Sequence, residues 1–136
     1  MMELSPLALA YLGDAVFELL VREKLVSGGQ LPIKDLNDAA KLYVTAAAQK
    51  RFYFRIYDQL TEKERLTLKS GRNSKPHSKS KNASVTDYRH ANGMETLFGY
   101  LYLLKEYERI KEIFAMCTPE GNSDESESSR NSERSE

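Results

Sequence analysis

The segment LALAYLGDAVFELLV at residues 7–21 constrains the fold of this chain more than any other stretch. A Ser-Pro pair just before it is typical of a helix start, so we predict a helix from Pro6 to about Val26. Apolar residues cover every side of that helix, which predicts that it is buried all round. It nevertheless contains Gly13-Asp14 and Glu18, although a helical glycine costs about 1 kcal/mol relative to alanine and an unpaired buried carboxylate costs more. These residues therefore indicate a function that compensates for their cost.

Five further helices are predicted from apolar spacing and capping residues. Thr45 can cap one of them, and Thr61 with Glu64 forms a capping box before the next. The predicted helices cover about 32–42, 46–60, 62–69, 85–104 and 107–116. No segment shows sustained strict alternation of apolar and polar residues, so the chain is predicted to be all-α. The Ser- and Lys-rich stretch from Ser70 to Ser84 is predicted to be a long loop.

A second apolar helix also carries a carboxylate near a glycine. The segment NGMETLFGYLYLL at residues 92–104 places Glu95 among apolar residues, with Gly99 one turn later. Two helices that each carry a glycine can approach closely, which would bring Asp14 and Glu95 within reach of one ion. Mg²⁺ takes oxygen ligands and needs only one or two protein carboxylates. The alternative left open is a core ion pair between Asp14 and one of three basic side chains: Arg22, Arg89 or His90.

The formal net charge of zero hides a segregation of charge along the chain. Residues 120–136 carry six acids and two arginines, and this Ser/Glu-rich tail is predicted to be disordered, which leaves residues 1–119 as one domain. Residues 69–90, here called the basic segment, carry six lysines and arginines against Asp87 alone. Such a segment suggests a polyanionic partner, and a solvated loop is the simpler alternative.

The sequence does not favour a secreted, membrane or zinc-binding protein. Cys117 is the single cysteine and cannot form an internal disulfide, and no Cys/His cluster has zinc spacing. Charged residues interrupt the first apolar helix, and the N-terminus lacks the features of a signal peptide. We therefore expect a soluble cytoplasmic protein without a membrane partner.

Two stretches together resemble the paired motifs of ribonuclease III. YLGDAVFELLV (11–21) resembles the signature of that family, and NGMETLFGYLYL (92–103) resembles its partner motif, in the same order and spacing. The Lys/Ser-rich loop and the residues after it resemble the Mini-III subgroup, whose members are catalytic domains without a double-stranded-RNA-binding domain. The resemblance spans about Leu7 to Phe114 and implies an all-α ribonuclease III catalytic domain, a compact helical bundle that forms a dimer.

The resemblance also implies an activity and its residues. It implies an Mg²⁺-dependent endoribonuclease that cleaves double-stranded RNA and leaves 5′-phosphates, with the large-subunit (23S) ribosomal RNA precursor as substrate. Asp14 and Glu95 would be both the catalytic residues and the metal ligands. The family pattern has two further acids, and this chain has Ala10 and Asn92 at those positions, as Mini-III members commonly do. The metal shell is therefore expected to be thinner, with water or Asn92 completing it.

Other residues receive supporting roles. Glu18 would orient water or, as we favour, make a helix-surface or dimer contact, and His90 would contact phosphate or pack in the core. Backbone contacts to RNA are expected from basic and amide side chains: Arg72, Asn73, Lys75, Lys79, Lys81 and Arg89. Cleavage of two strands implies a homodimer, formed through the first helix or through RFYFRIY (51–57), although the latter fits the core slightly better. A large-subunit ribosomal protein is a further candidate partner.

Two competing hypotheses remain at this point. The chain could be a ribonuclease-III-like module that binds structured ribosomal RNA with little or no catalysis, an idea favoured by Ala10 and Asn92. It could also be a helical protein–protein adaptor with a basic loop, which would make the glycines and carboxylates coincidental.

Overall fold

Six α-helices make up the computed structural model of the protein, which describes residues 4–29, 31–74 and 84–118. The helices are α1 Pro6–Ser27, α2 Ile33–Val44, α3 Ala46–Ile56, α4 Glu62–Asn73, α5 Val85–Leu103 and α6 Tyr107–Cys117. A short 3-10 turn, Tyr57–Gln59, follows α3. These ranges contain no β-strand, so the all-α prediction is confirmed. The predicted tail and much of the predicted loop lie outside the described residues.

Side-chain caps fix where the helices begin. The Thr61 hydroxyl accepts a hydrogen bond from the Glu64 N–H at 3.1 Å, and the Glu64 carboxylate accepts one from the Thr61 N–H at 2.8 Å. This capping box starts α4, as predicted. The end of α4 was predicted too early, because the helix continues past Lys69 to Asn73. Hydroxyl caps also begin α1, α3 and α5, at Ser5, Thr45 and Ser84.

The core is organised around α5, which packs against α1, α3, α4 and α6. Phe17 of α1 lies at its centre, with its ring centroid 5.3 Å from that of Phe98 and 5.5 Å from that of Phe114. Both pairs are edge-to-face, the arrangement that aromatic rings prefer in cores. The segment RFYFRIY belongs mainly to this core, since three of its side chains are buried: Phe52, Tyr53 and Ile56.

One side of α1 is open to solvent, so the prediction that this helix is buried all round is wrong. Tyr11 is 87% exposed, Leu19 is 66% exposed and Val26 is 63% exposed. With the exposed Ala15 they follow each other at helical spacing, and we call these four residues the α1 apolar stripe. The stripe is left uncovered because the partners of α1 in this chain, chiefly α5 and α2, lie on its other sides.

Candidate active site

Two glycines allow the backbones of α1 and α5 to touch. A Cβ atom added at Gly13 would overlap the carbonyl oxygen of Glu95, and one added at Gly99 would overlap the carbonyl oxygen of Leu9. Neither neighbour can yield, because both are helix backbone. Glycine is therefore required at this crossing, which explains its presence in an otherwise apolar helix. The crossing brings Asp14 of α1 close to Glu95 of α5.

The two predicted metal ligands lie in different surroundings. Asp14 is exposed, but partial desolvation raises the pKa of its carboxyl, and the charge of Glu18 raises it further. Glu95 is only partly exposed, and its burial raises its pKa to about 8, helped by the nearby charge of Asp14. A hydrogen bond from Gln49 to the Glu95 carboxylate acts in the opposite direction. The site thus brings together two carboxyl groups whose ionised forms disfavour each other, and no described basic side chain forms a salt bridge with either of them.

A core ion pair does not account for Asp14. No described residue forms a salt bridge with it, and Arg22 instead pairs with Glu18, at 3.7 Å across one turn of α1. Both members of that pair are solvent-accessible, which supports the helix-surface role favoured for Glu18. Arg89 is exposed and His90 is buried, and neither forms a salt bridge with Asp14.

The oxygen donors present fit a lightly coordinated hard cation. Among the described ranges, no group of three or more His, Cys, Asp or Glu side chains is arranged to hold a metal ion. Asp14 and Glu95 would therefore provide two carboxylates, the number at which Mg²⁺ keeps several of its own waters. Two mutually repelling carboxylates with raised pKa values gain most from a bound divalent cation. The thinner metal shell inferred from the sequence is consistent with this donor set.

Asn92 stands where the family pattern has an acid, and its amide already has a structural role. Its Nδ2 donates a hydrogen bond of 2.7 Å to the carbonyl oxygen of Gly71 near the end of α4. Asn92 and Glu95 line the same cavity of 470 Å³, together with Asp87 and Gln49. Ala10, at the other position that lacks an acid, is buried. The cavity thus opens beside Glu95, between α3 and α5.

Gln49 is a site residue that the motif analysis missed. It is only 2% exposed, its amide favours the ionised form of Glu95, and its Oε1 has no hydrogen-bond partner among the described residues. A signal was present in the sequence, because Gln49 falls on the apolar face of α3 with Phe52, Tyr53 and Ile56. A polar residue on a buried helical face requires a reason, and here the reason is contact with Glu95.

His90 packs in the core. Its Nδ1 lies 2.7 Å from the carbonyl oxygen of Thr86. Its ring meets Tyr53 edge-on at a centroid distance of 4.5 Å and lies 5.0 Å from Phe54. These contacts favour the packing role of His90 over a contact with phosphate.

Three of the six predicted RNA contacts fall on described residues. Arg72 and Asn73 form the last turn of α4, where Arg72 donates to the Tyr53 hydroxyl at 3.3 Å and to the Asn73 side chain at 3.2 Å. Arg89 is exposed on α5. Arg72 and Asn73 are thus held on a helix end rather than in the loop where they were predicted. The remaining contacts lie outside the described residues: Lys75, Lys79 and Lys81.

Comparison with known proteins agrees with this geometry. The family model for the Ribonuclease III domain matches residues 7–106, a range that contains the glycine crossing and both carboxylates. The chain belongs to the ribonuclease III family. It is similar to Mini-ribonuclease 3 of Thermoanaerobacter sp. (strain X514), with 44% identity over 115 residues that cover 85% of this chain and 81% of the relative. It is also 44% identical over 117 residues to Mini-ribonuclease 3 of Enterococcus faecalis, covering 85% of this chain and 89% of that protein.

The fold of this ribonuclease III domain also has a counterpart among solved structures. A crystal structure of a Fusobacterium nucleatum protein superposes with a TM-score of 0.78 and 33% identity, covering 86% of this chain and 90% of the other. The predicted all-α ribonuclease III fold of the single chain and the Mini-III resemblance are confirmed, and the chain is an endoribonuclease. Within the described ranges, no helix combines the length and apolar character needed to cross a membrane.

Proposed function

We propose that the protein is an Mg²⁺-dependent endoribonuclease that cleaves double-stranded RNA, with Asp14 and Glu95 as metal ligands. The observation that carries this proposal is the glycine crossing, which holds the two carboxylates close enough for the charge of Asp14 to raise the pKa of Glu95. A folded protein would gain stability by replacing such a pair with neutral residues. Its presence is therefore best explained by catalysis.

The chain's own side chains would bind and orient the cation rather than attack the RNA. Bound Mg²⁺ would supply a hydroxide nucleophile near neutral pH and neutralise charge that develops on the phosphate, leaving 5′-phosphate ends. The other nucleophile candidate is poorly placed, since Cys117 is buried and its pKa is raised to about 12 by that burial. His90 is packed against the rings of Tyr53 and Phe54, and its Nδ1 lies within hydrogen-bonding distance of the Thr86 carbonyl oxygen, which suits a packing role. Asp14, which is exposed on α1, and Glu95, which lines the cavity, would hold the cation.

The basic segment is the proposed RNA-binding element. Double-stranded RNA is recognised mainly by its shape, through phosphates and 2′-hydroxyls. Arg72, Asn73 and Arg89 carry suitable side chains where the segment overlaps the end of α4 and the first turns of α5. The lysines between them, at 75, 79 and 81, complete the proposed set.

A homodimer would supply the second active site that a second strand requires. The α1 apolar stripe supports this proposal, because exposed apolar side chains at helical spacing favour burial against another protein. Next to the stripe lies an apolar groove of 340 Å³ between α1 and α6, lined by Leu19, Leu20, Tyr102, Tyr107 and Ile110. A stripe beside a groove suits a two-fold interface, in which each copy offers both surfaces to the other.

The substrate we propose is the precursor of the large-subunit (23S) ribosomal RNA, cut in the cytoplasm with a large-subunit ribosomal protein as a candidate accessory partner. This assignment follows from the resemblance to the Mini-III subgroup. If it is correct, removing the gene from its host should leave unprocessed ends on that RNA. Mature ends in such a strain would contradict the assignment of substrate.

A second function is supported by one observation. Ala10 and Asn92 replace two acids of the family pattern, and this would suit a module that binds structured ribosomal RNA with little or no catalysis. The raised pKa of Glu95 opposes this alternative, because a module without catalysis would have no use for a costly buried acid.

Cleavage assays on two isosteric variants test the proposal. Asp14→Asn and Glu95→Gln should each reduce the rate on a long RNA duplex with Mg²⁺ by at least about 100-fold, since the metal provides the nucleophile. Binding of the same duplex should change little. Glu62→Gln, an exposed change on α4, is the matched control and should cleave at the parental rate. Near-parental cleavage by either site variant would show that the metal site is wrongly assigned, and a parental protein that binds but never cuts would support the RNA-binding alternative.

A further inference from the structure

Gln49 carries the one buried side-chain polar atom that has no hydrogen-bond partner among the described residues. It is 2% exposed and lies between Ala48 and Phe52 on the buried face of α3. An amide has both donor and acceptor atoms, and a buried one that leaves either unpaired costs about 1–3 kcal/mol. Gln49 does leave one unpaired, since its Oε1 has no partner among the described residues. An apolar side chain of the same shape would avoid that cost.

The Gln49 side chain lies beside a proposed metal ligand. Gln49 on α3 and Glu95 on α5 line the same cavity, and the Gln49 amide favours the ionised carboxylate, which opposes the rise in the pKa of Glu95. Glu95 has no other hydrogen-bonding side chain among its described contacts. Asp14, on α1, affects Glu95 only through repulsion between their charges. Among the described side chains, Gln49 is thus the one placed to orient the Glu95 carboxylate.

We propose that Gln49 is a positioning residue that orients the Glu95 carboxylate for the divalent cation. This inference rests on the proposed function, in which Asp14 and Glu95 hold the cation. A carboxylate that rotates freely must be ordered when the cation binds, and a fixed one has already been ordered by the fold. Partners behind a metal ligand typically contribute 10- to 100-fold to metal affinity. Gln49 would then reduce the stability of the fold but increase the affinity of the site for the divalent cation.

The variant Gln49→Met separates these two effects. Methionine has a similar length and shape but cannot donate to Glu95. Mn²⁺ is a suitable probe, because the free ion can be counted by electron paramagnetic resonance without any RNA or cleavage. We expect Gln49→Met to bind Mn²⁺ about 10- to 100-fold more weakly, while its melting temperature stays equal to or above that of the parent. A merely structural role for Gln49 predicts the reverse, a lower melting temperature with unchanged affinity.

Further variants keep every outcome interpretable. Gln59→Met changes an exposed glutamine in the 3-10 turn and should leave both measurements unchanged. If the Gln49→Met core fails to fold, Gln49→Asn keeps the amide but shortens its reach, and it should also weaken Mn²⁺ binding. Affinity within two-fold of the parent in a folded Gln49 variant would overturn this inference, provided that Glu95→Gln does lose the ion. If the parent itself binds no Mn²⁺, or Glu95→Gln binds it normally, the metal site of the proposed function fails and the role of Gln49 fails with it.

Discussion

Replacing Glu95 with glutamine should stabilise the metal-free protein at neutral pH, although it should remove the activity. Glu95 is partly buried, and its pKa is raised to about 8 by that burial and by the charge of Asp14. An ordinary glutamate has a pKa of 4.5. The folded state therefore favours the protonated carboxyl, and its stability falls as the pH rises from about 4.5 to about 8. Glutamine imitates the protonated form at every pH and can still accept a hydrogen bond from Gln49.

The expected gain can be worked out from the same two pKa values. Each tenfold difference in acidity between folded and unfolded states corresponds to about 1.4 kcal/mol, which gives a ceiling of about 4–5 kcal/mol above pH 8. Solvent near the partly exposed carboxyl and relaxation of the site lower this ceiling. We therefore expect Glu95→Gln to raise the free energy of unfolding by about 2 kcal/mol at pH 7.5. For a domain of this size the gain corresponds to a rise in melting temperature of about 6 °C.

The assay is thermal unfolding of the parent and of Glu95→Gln at pH 4.5 and pH 7.5, in buffer with a chelator. The difference in melting temperature should be large at pH 7.5 and nearly absent at pH 4.5. Glu18→Gln is the matched control, since Glu18 is more exposed and pairs with Arg22, and it should produce a much smaller shift. An equal or lower melting temperature for Glu95→Gln at pH 7.5 would refute the claim that Glu95 carries unfavourable charge in the metal-free fold.

Three further changes test the crossing, the basic segment and the dimer. Gly13→Ala places a methyl group against the Glu95 carbonyl and should cost about 3 kcal/mol or more in urea unfolding, whereas Gly28→Ala, in a more open position, should cost little. When Arg72 and the lysines at 75, 79 and 81 are replaced by alanine, the slope of log affinity for duplex RNA against log salt concentration should become shallower by up to about 3, with little change in thermal stability. An unchanged slope would favour the solvated loop. Leu19→Asp should convert a dimer to monomers in sedimentation at micromolar concentration, and a parent protein that is already monomeric would contradict the proposed dimer.

Local chemistry allowed most of the helices to be predicted. Hydroxyl caps and the Thr61–Glu64 capping box act within one turn, so their effect does not depend on the rest of the fold. The same locality explains the error at the end of α4. Ser70, Gly71 and Asn73 are weak helix formers, yet the helix continues through them because Gly71 packs closely against Thr96 of α5. Tertiary contact here overrides propensity.

The two acids of the proposed site stand out in the sequence, whereas their surroundings do not. Asp14 and Glu95 could be singled out because each interrupts an apolar helix beside or near a glycine. The open side of α1 could not be predicted, because a sequence that is apolar all round does not distinguish burial by its own chain from burial by another copy. The role of Gln49 depends on α3 and α5 facing each other across one cavity. Its place on the apolar face of α3 suggests that Gln49 is buried but does not specify which residue it contacts.

The contact between Gly13 and the Glu95 backbone also bears on how this fold can change over evolution. Any side chain at position 13 collides with a helix backbone, so the glycine is required whether or not the protein cuts RNA. Asp14 is under no such constraint, since it is exposed and forms no salt bridge with a described residue. If both acids serve catalysis as proposed, a descendant that lost catalysis could replace them while keeping both glycines. In surveys of related sequences, the glycines would then identify the fold, and the acids at positions 14 and 95 would be needed to identify a nuclease.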